Sequence, residues 1–397
     1  MNRMTYNFDE VISRKGTNSL KYDFSEKRGK PKDILPLWVA DMDFQVPEAV
    51  SKKLSELARH GIFGYSEAGT SYFEAIANWM RTYHGWHVKE EWLVKTPGVV
   101  FAIAMAIRAL TKEGDSVLIQ QPVYYPFSEV IVENSRKLVN SPLIYSESKY
   151  HIDFEDFENK IVENKVKLFV LCNPHNPVGR VWTKEELIKL GDICLEHGVV
   201  VVSDEIHQDF TYAGYKHEVF MNLKQGYEEI TITCTAPSKT FNLAGLQVSN
   251  IFIANPTLRH KLRKEIVKAG YSQLNSAGLV ACEAAYTEGR GWLDELKAYL
   301  TENLNFVREF LKEGLPQIKL VEPEGTYLVW LDFRALGLKE EELETLIVEK
   351  AKLWLDSGII FGESGEGFER INIACPRRIL EQALKQLLSS IKELETE

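Results

Sequence analysis

Between about residues 90 and 285 the chain alternates short apolar runs with helix-like stretches, and few folds accommodate such an alternation. The small apolar residues of 99–110 predict a buried helix, and Thr183 with Glu186 has capping-box spacing at the start of a helix predicted over 183–197. The predicted strands are residues 116–120, 137–144, 167–172, 199–203, 230–235 and 248–254. This order predicts a doubly wound α/β domain.

The pattern changes near residue 290, where long charged helices replace the alternation. The predicted helices are 294–313, 340–356 and 379–393, and the short predicted strands are 326–332 and 370–374. A length of 397 residues exceeds one ordinary hydrophobic core. The sequence therefore predicts a large α/β domain followed by a smaller α+β domain, with no flexible linker and with the substrate between them.

A lysine follows one of the predicted strands, in a turn of small and polar residues. Residues 236–246 are Ala-Pro-Ser-Lys-Thr-Phe-Asn-Leu-Ala-Gly-Leu, which places Lys239 just beyond the strand at 230–235. An amine at the end of a buried strand suits a Schiff-base partner held in a pocket. The alternative is a solvated loop lysine, as most lysines are. The segment alone leaves that choice open.

A carboxylate ends the apolar run Val199-Val-Val-Val-Ser-Asp204. Such a run is typical of a parallel strand covered on both faces, and ligands of open α/β sheets bind beyond the carboxyl ends of strands. Asp204 could instead cap a following helix. In the first role it pairs with a protonated pyridine nitrogen and keeps a pyridoxal ring electron-withdrawing. Asp204 and Lys239 together indicate a pyridoxal-phosphate enzyme.

Composition excludes several other classes of protein. The formal net charge of −10 argues against nonspecific binding to nucleic acid, which needs basic surface. The sequence has no apolar run long enough to span a membrane and no signal-peptide core. Its five cysteines are scattered, which predicts buried thiols in a reducing cytoplasm. His84 and His87 have no nearby cysteine, so we predict no metal site.

Further motifs follow one another along nearly the whole chain. They are Leu37-Trp-Val-Ala-Asp-Met-Asp-Phe44, Pro97-Gly-Val-Val100, Gln121-Pro-Val-Tyr-Tyr-Pro126, Asn173-Pro-His-Asn-Pro-Val-Gly-Arg180, Ser203-Asp-Glu-Ile-His-Gln-Asp209, Ser238-Lys-Thr-Phe-Asn-Leu-Ala-Gly245 and Arg370-Ile-Asn-Ile-Ala-Cys-Pro376. With these motifs the chain resembles fold-type I pyridoxal-phosphate enzymes of the class I/II aminotransferase group. Within that group it resembles the cystathionine β-lyase (C–S lyase, MalY/PatB) subfamily. The resemblance implies a large mixed-sheet cofactor domain over 50–290 and a smaller domain made of 1–49 and 291–397.

The phosphate of pyridoxal 5′-phosphate is expected at the start of the helix predicted over 99–110. Free amides at Gly98, Val99 and Val100 can bind phosphate without a cationic side chain, and Ser238 can add a hydroxyl. The resemblance implies that Tyr65 reaches the phosphate of a neighbouring subunit. It therefore implies a homodimer with shared active sites.

The resemblance assigns roles to several other residues. Tyr124 stacks on the pyridine ring, and Asn176 donates its amide to the cofactor's 3-oxygen. Tyr125 either contacts phosphate, assists proton transfer or is a core aromatic. Arg370 grips the substrate α-carboxylate, for which its planar fork is suited. Trp38 and Asp41 mark the subfamily near the substrate entrance, although packing is an alternative role for Trp38.

Three positions depart from typical aminotransferases of this group. His207 replaces a tyrosine, Gln247 an arginine and Ala236 a serine, so the phosphate has fewer charged partners. These departures are expected of the β-lyase branch, in which Lys239 binds the cofactor and moves the α-proton. The implied reaction converts L-cystathionine or a related S-substituted cysteine to pyruvate, ammonia and a thiol such as homocysteine, which feeds methionine biosynthesis. The alternatives are an aminotransferase and a regulatory protein that keeps the fold.

Overall fold

The structure, a computed structural model, describes residues 6–394. Its strands are β1 (Leu35–Pro36), β2 (Leu93–Thr96), β3 (Ser116–Ile119), β4 (Lys137–Asn140), β5 (Ile144–Ser146), β6 (Lys149–His151), β7 (Leu168–Cys172), β8 (Val200–Asp204), β9 (Thr231–Thr235), β10 (Ser249–Phe252), β11 (Lys319–Val321), β12 (Leu328–Asp332), β13 (Leu353–Trp354), β14 (Asp356–Ser357) and β15 (Phe368–Asn372). Its α-helices are α1 (Glu48–His60), α2 (Thr70–His84), α3 (Val99–Leu110), α4 (Pro126–Glu133), α5 (Phe154–Asn164), α6 (Lys184–Glu196), α7 (Pro237–Thr240), α8 (Pro256–Lys268), α9 (Ser276–Glu288), α10 (Arg290–Gly314), α11 (Glu340–Glu344) and α12 (Arg377–Leu394).

The larger sheet has seven strands in the order β2-β10-β9-β8-β7-β3-β4. Strand β10 is antiparallel to both of its neighbours, and the other pairs in the sheet are parallel. Every residue of β7 and β9 is buried, because helices cover both faces of the sheet. The predicted mixed α/β sheet is confirmed. The carboxyl ends of β2, β7, β8 and β9 therefore meet at one edge.

Two helices follow from their sequences as predicted. The apolar helix α3 packs its alanines and Ile103 against the larger sheet. Helix α6 begins with a capping box, in which the Glu186 amide donates to Thr183 Oγ1 at 3.2 Å. The Thr183 amide in turn donates to Glu186 Oε2 at 2.8 Å. These reciprocal bonds satisfy two of the free amides that begin every helix.

The smaller sheet is antiparallel, with the order β11-β12-β15-β14, and α10 and α12 pack beside it. The N-terminal segment joins this part of the molecule through β1, which pairs with β13 at Leu35 and Leu353. This α+β arrangement was predicted for the end of the chain. It brings residues near position 40 beside residues near position 370.

The predicted helix over 340–356 is wrong beyond Lys350. Helix α11 continues as a π-helix over Thr345–Lys350, and the chain then turns at Lys352, whose φ is 53°. The Lys352 carbonyl accepts a hydrogen bond from the Leu35 amide at 2.8 Å. Pairing with the N-terminal segment thus takes the following residues out of the helix. Local periodicity could not show this pairing.

The strand predicted over 137–144 is too long, since β4 ends at Asn140. There the Asn140 side chain accepts the Gln121 amide at 2.9 Å. Pro142 follows and has no amide to donate to a ladder.

Of the helices between residues 6 and 394, none is long and apolar enough to cross a membrane.

Candidate active site

The candidate site lies where β8 and β9 end, at the edge at which open α/β sheets bind ligands. Asp204 is the last residue of β8, and Lys239 lies on the short helix α7 after β9. Lys239 and residues 39–45 of the N-terminal segment line a cavity of about 620 Å³. Two residues that the sequence singled out separately are therefore brought to one place.

The Lys239 amine is held by the N-terminal segment. Its Nζ donates a hydrogen bond to the Ala40 carbonyl at 2.6 Å, and the Tyr327 hydroxyl donates to the same oxygen at 3.1 Å. Burial lowers the pKa of Lys239 to about 8, and the Arg370 charge acts in the same direction, while Asp41 and Asp204 oppose it. Near neutral pH a fraction of the Lys239 amine is therefore unprotonated and nucleophilic.

We expect the reaction of Lys239 with acetic anhydride, in protein freed of cofactor, to increase with pH and reach half of its plateau near pH 8. The rate is followed by mass spectrometry of the peptide that contains Lys239. Peptides with fully exposed lysines, whose ordinary pKa is about 10.4, are the internal control. A midpoint for Lys239 equal to that of the control peptides would contradict a lowered pKa of Lys239.

Asp204 is 4% exposed and accepts a hydrogen bond from the Ile206 amide at 3.1 Å. Burial raises the pKa of Asp204 to about 7, although the Lys239 charge opposes this shift. The residues after Asp204 form a turn, so the alternative role as a helix cap is wrong. A buried carboxyl group with this pKa would be stabilised in its charged form by a cationic ligand group.

Arg370 lies on β15, almost completely buried. Its Nη1 donates to Asn176 Oδ1 at 2.8 Å, and its Nη2 donates to the Trp38 carbonyl at 2.9 Å and to Asp356. The guanidinium also lies 4.8 Å from the centre of the Phe361 ring. Because Asn176 Oδ1 is bonded to Arg370, the amide nitrogen is the end of Asn176 that can donate to a ligand.

Asp356 is a site residue that the sequence analysis missed. It lies on β14 and forms a buried ion pair with Arg370, its partner in the strand register. The sequence analysis placed Asp356 at the end of the helix predicted over 340–356. The aromatic and β-branched residues around it, from Leu353 to Phe361, were the only available signal for a strand.

Tyr124 and Tyr125 lie side by side at the start of α4, with ring centres 5.5 Å apart. Burial raises the pKa of both hydroxyls, and the charges of Arg370 and Asp204 act on Tyr124. Tyr124 therefore faces the site. Tyr125 keeps its proton at neutral pH, so it can donate a hydrogen bond but is a poor base.

The start of α3 has room for a ligand. Gly98 precedes the helix in an extended conformation, and a Cβ added there would have no atom within 4 Å. The following amides, from Val99 and Val100, are among those that a helix leaves without internal partners. Ser238, partly buried, follows β9 at the same edge of the sheet. The three amide positions and the Ser238 hydroxyl thus follow strands of the same sheet, and their binding of a phosphate stays a prediction.

His207 is buried beside Tyr327, with ring centres 5.9 Å apart. Burial and the charges of Lys239 and Arg370 hold its pKa well below the ordinary value, so the ring is neutral.

A hydrogen-bond network around Asp209 was missed by the sequence analysis. Asp209 accepts hydrogen bonds from Thr240 Oγ1 at 2.7 Å and from His84 Nε2 at 2.9 Å, which ties the turn after β8 to the residue next to Lys239.

Trp38 contributes to the site through its backbone carbonyl, whereas Asp41 contributes both through its carboxylate charge, which acts on Lys239, and through its backbone. The Trp38 ring stacks on Trp354 at 4.5 Å, so the packing role is the one observed. The Asp41 carboxylate is bonded to Arg14 at 2.9 and 2.6 Å, and its carbonyl accepts from Asn372 at 2.6 Å. These bonds hold the segment whose Ala40 carbonyl accepts from Lys239.

Tyr65 is the predicted site residue that a single chain does not bring to Lys239. It is 99% exposed, in a segment without regular structure between α1 and α2. Ile62 and Phe63 beside it are 70% and 67% exposed.

In residues 6–394 the structure groups no three His, Cys, Asp or Glu side chains that could hold a metal.

The chain is similar to known proteins over nearly its whole length. The aminotransferase class I and II family matches residues 32–387. Cystathionine β-lyase PatB of Bacillus subtilis is 45% identical, over 97% of this chain and 100% of the relative. A pyridoxal-phosphate-bound putative aminotransferase of Clostridium difficile superposes with a TM-score of 0.95 at 45% identity, covering 97% of this chain and 100% of the other. Cystalysin of Treponema denticola, whose crystal structure contains pyridoxal 5′-phosphate, superposes with a TM-score of 0.95 at 39% identity, covering 98% and 100%.

Proposed function

The chain belongs to the aminotransferase class I and II family, and we propose that it is a pyridoxal-phosphate-dependent carbon–sulfur β-lyase. Its substrate is L-cystathionine or a related S-substituted cysteine. The observation that carries the proposal is the partly buried Lys239 amine, whose pKa is lowered to about 8 and on which the charges of Asp204 and Arg370 both act. The similarity to a cystathionine β-lyase over the full length supports the choice of reaction.

The residues present fit pyridoxal phosphate. The open space at Gly98, beside free helix amides, suits the phosphate. The free amide end of Asn176 suits the ring oxygen, and Asp204 suits the pyridine nitrogen, whose positive charge would stabilise the buried carboxylate. Lys239 would bind the aldehyde carbon, and Tyr124 would cover the ring. His207 is neutral and close by, which suits a site that already contains two cationic side chains.

Arg370 binds the substrate by its α-carboxylate, because a planar guanidinium matches a planar carboxylate. This contact holds the Cα–H bond in one orientation relative to Lys239. When bound, pyridoxal phosphate accepts the electron pair that the broken Cα–H bond leaves behind. Lys239 takes the proton from Cα, for which a pKa of about 8 is suited, and its ammonium form can protonate the departing sulfur. The balanced reaction is L-cystathionine and water to homocysteine, pyruvate and ammonia.

Product analysis tests the proposal. Purified protein with pyridoxal phosphate and L-cystathionine, without any 2-oxo acid, is expected to release pyruvate, ammonia and homocysteine in equal amounts over many turnovers. Parallel reactions with 2-oxoglutarate added provide the control. Amino-group transfer that depends on the 2-oxo acid, without pyruvate release in its absence, would instead make the protein an aminotransferase.

The proposal includes a homodimer with shared sites, supported by the exposed Tyr65, Ile62 and Phe63. We expect Tyr65→Ala to weaken pyridoxal-phosphate affinity about tenfold or more, as for loss of a hydrogen bond to a charged group. At a pyridoxal-phosphate concentration that saturates the wild type but not Tyr65→Ala, mixing Tyr65→Ala subunits with Lys239→Ala subunits should restore about one quarter of wild-type turnover, because each hybrid dimer has one intact site. The pair Asp204→Ala and Lys239→Ala is the matched control, since both residues belong to the same half-site. If neither mixture of variant subunits restores turnover, the result would contradict active sites shared between subunits.

We also propose the division into a large domain over 50–290 and a smaller one of 1–49 and 291–397. The strands of the larger sheet lie between Leu93 and Phe252, and those of the smaller sheet between Lys319 and Asn372. Residues 1–5 and 395–397 lie outside the described part.

The five cysteines are all unpaired and buried, which supports a cytoplasmic enzyme.

A further inference from the structure

Arg370, which the proposed function assigns to the substrate's α-carboxylate, is already bound to a carboxylate of the chain itself. Asp356 and Arg370 are partners in the register of β14 and β15 and form an ion pair. Their side chains are 7% and 2% exposed, so neither is screened by bulk water. The Trp38 carbonyl and Asn176 Oδ1 accept the other hydrogen bonds of Arg370, at 2.9 and 2.8 Å.

These contacts leave Arg370 without a free edge for a second carboxylate. A guanidinium grips a carboxylate with two parallel N–H groups, either from Nη1 and Nη2 or from Nε and Nη2. Both edges use a hydrogen of Nη2, and Nη2 donates to Asp356 and to the Trp38 carbonyl. Nε is buried, with no partner among the described residues. A substrate carboxylate must therefore take an Nη2 hydrogen from Asp356 or from Trp38.

Of these two partners, Asp356 is the one that can move away from Arg370. The backbone on both sides of Trp38 is held by Asn372, whose amide donates to the Leu37 carbonyl at 2.9 Å and whose Nδ2 donates to the Val39 carbonyl at 2.7 Å. Asp356, by contrast, has a rotatable side chain. It lines a cavity of about 510 Å³ together with Trp38 and Tyr125, into which a carboxyl group could turn.

We propose that Asp356 is a specificity-determining residue, an internal carboxylate that occupies Arg370 in the free enzyme and is displaced by the substrate's carboxylate. The assignment of that carboxylate to an amino-acid substrate rests on the proposed function. Displacement exchanges one ion pair for another. A ligand without a carboxylate gains nothing from Arg370 and leaves the internal pair in place.

Displacement should be coupled to uptake of a proton. Burial raises the pKa of Asp356, and the charges of Arg370 and Lys30 oppose this shift. Once a substrate carboxylate neutralises Arg370, that opposition weakens and Asp356 takes up a proton. The other titratable groups that face it are Tyr124, Tyr125 and Glu369, with Glu340 and Glu344 farther along the same cavity. Burial raises the pKa of Glu369 well above its ordinary value, so Glu369 is already biased toward its protonated form.

Calorimetry of the holoenzyme with propionate, a carboxylate that cannot react, tests this inference between pH 6 and pH 8.5. Titrations in two buffers of different ionisation enthalpy count the protons. For the wild type we expect uptake approaching one proton per propionate and an affinity that falls by up to about tenfold per pH unit. For Asp356→Asn we expect affinity at pH 8 about tenfold higher, no proton uptake, and a lower KM for L-cystathionine.

Asp332→Asn is the matched control, because it removes an Asp–Arg pair with Arg334 from the same sheet, and it should leave propionate binding unchanged. Weaker propionate binding by Asp356→Asn would overturn the inference and show that Asp356 only supports Arg370. If that variant does not fold, an absence of proton uptake by the wild type overturns it instead. Lack of lyase turnover would contradict the proposed function alone, since propionate binding does not depend on turnover.

Discussion

Lys239→Ala is expected to lose at least about 10³-fold in kcat/KM for pyruvate release from L-cystathionine, the size of a lost general acid–base group. The amine is partly buried and has a pKa of about 8, and the neutral His207 is not expected to replace a lysine that also binds the cofactor. Reduction of the wild-type holoenzyme with borohydride should attach the cofactor's mass to the Lys239 peptide. The variant should show no such attachment.

A second partly buried lysine, Lys297, provides the control for Lys239→Ala. Lys297 lies on α10, and burial lowers its pKa as well, but it lines a separate cavity with Phe210 and Tyr212. Lys297→Ala should keep at least about half of wild-type turnover, since the lost group contacts neither substrate nor cofactor. Added methylamine should restore part of the turnover of Lys239→Ala only, because a small amine can replace the missing base. Turnover of Lys239→Ala within tenfold of wild type would contradict the assignment.

The part of the site that lies on the larger sheet was predictable from the sequence. Asp204 and Lys239 follow continuous apolar runs, and parallel strands bring their carboxyl ends to one edge. The distance in sequence between them does not matter to that argument, because the edge of a sheet collects residues from every strand. Helix α3 was predictable for the same kind of reason, since a helix that is apolar all round and has no charge before Arg108 has to be buried.

The part of the site supplied by the N-terminal segment was not predictable from periodicity. Residues 37–44 have no repeating pattern and are held by side chains from distant positions, such as Asn242 and Asn372. The Ala40 carbonyl binds Lys239 across almost two hundred residues of sequence. Such contacts depend on the finished tertiary structure. Only the motif in which Trp38 and Asp41 stand suggested that the segment belongs to the site.

Asp356 illustrates a different failure. The leucines and isoleucines after Glu340 follow a helical period, and Trp354 continues it, so a long amphipathic helix was predicted. The structure ends the helix at Lys350, because pairing with Leu35 and stacking with Trp38 satisfy the following residues in extended form. A long-range strand pairing overrode the local pattern. The consequence was that the counter-ion of the substrate-binding arginine went unnoticed.

Arg370→Ala is expected to lose about 30- to 4000-fold in kcat/KM, corresponding to the 2–5 kcal/mol cost of truncating one partner of a buried charge pair. The loss should fall mainly on KM, because Arg370 binds the carboxylate and does not move the proton. Arg370→Lys keeps the charge but not the planar fork, so it should recover only part of the loss. Arg334→Ala, at an ion pair of the same sheet whose arginine is exposed, should change neither constant by more than about twofold.

The same substitution should destabilise the protein in a pH-dependent way. Without Arg370 the pKa of the buried Asp356 increases further above its unfolded value, so the folded state binds a proton that the unfolded state releases. Stability of Arg370→Ala relative to wild type should therefore fall as pH increases from 5 to 8, as urea unfolding can measure. Adding Asp356→Asn to Arg370→Ala removes the unpaired carboxylate and should abolish most of this pH dependence. If the double variant shows the same pH dependence as Arg370→Ala, another group is responsible, and the pairing of Asp356 with Arg370 is not what stabilises this part of the site.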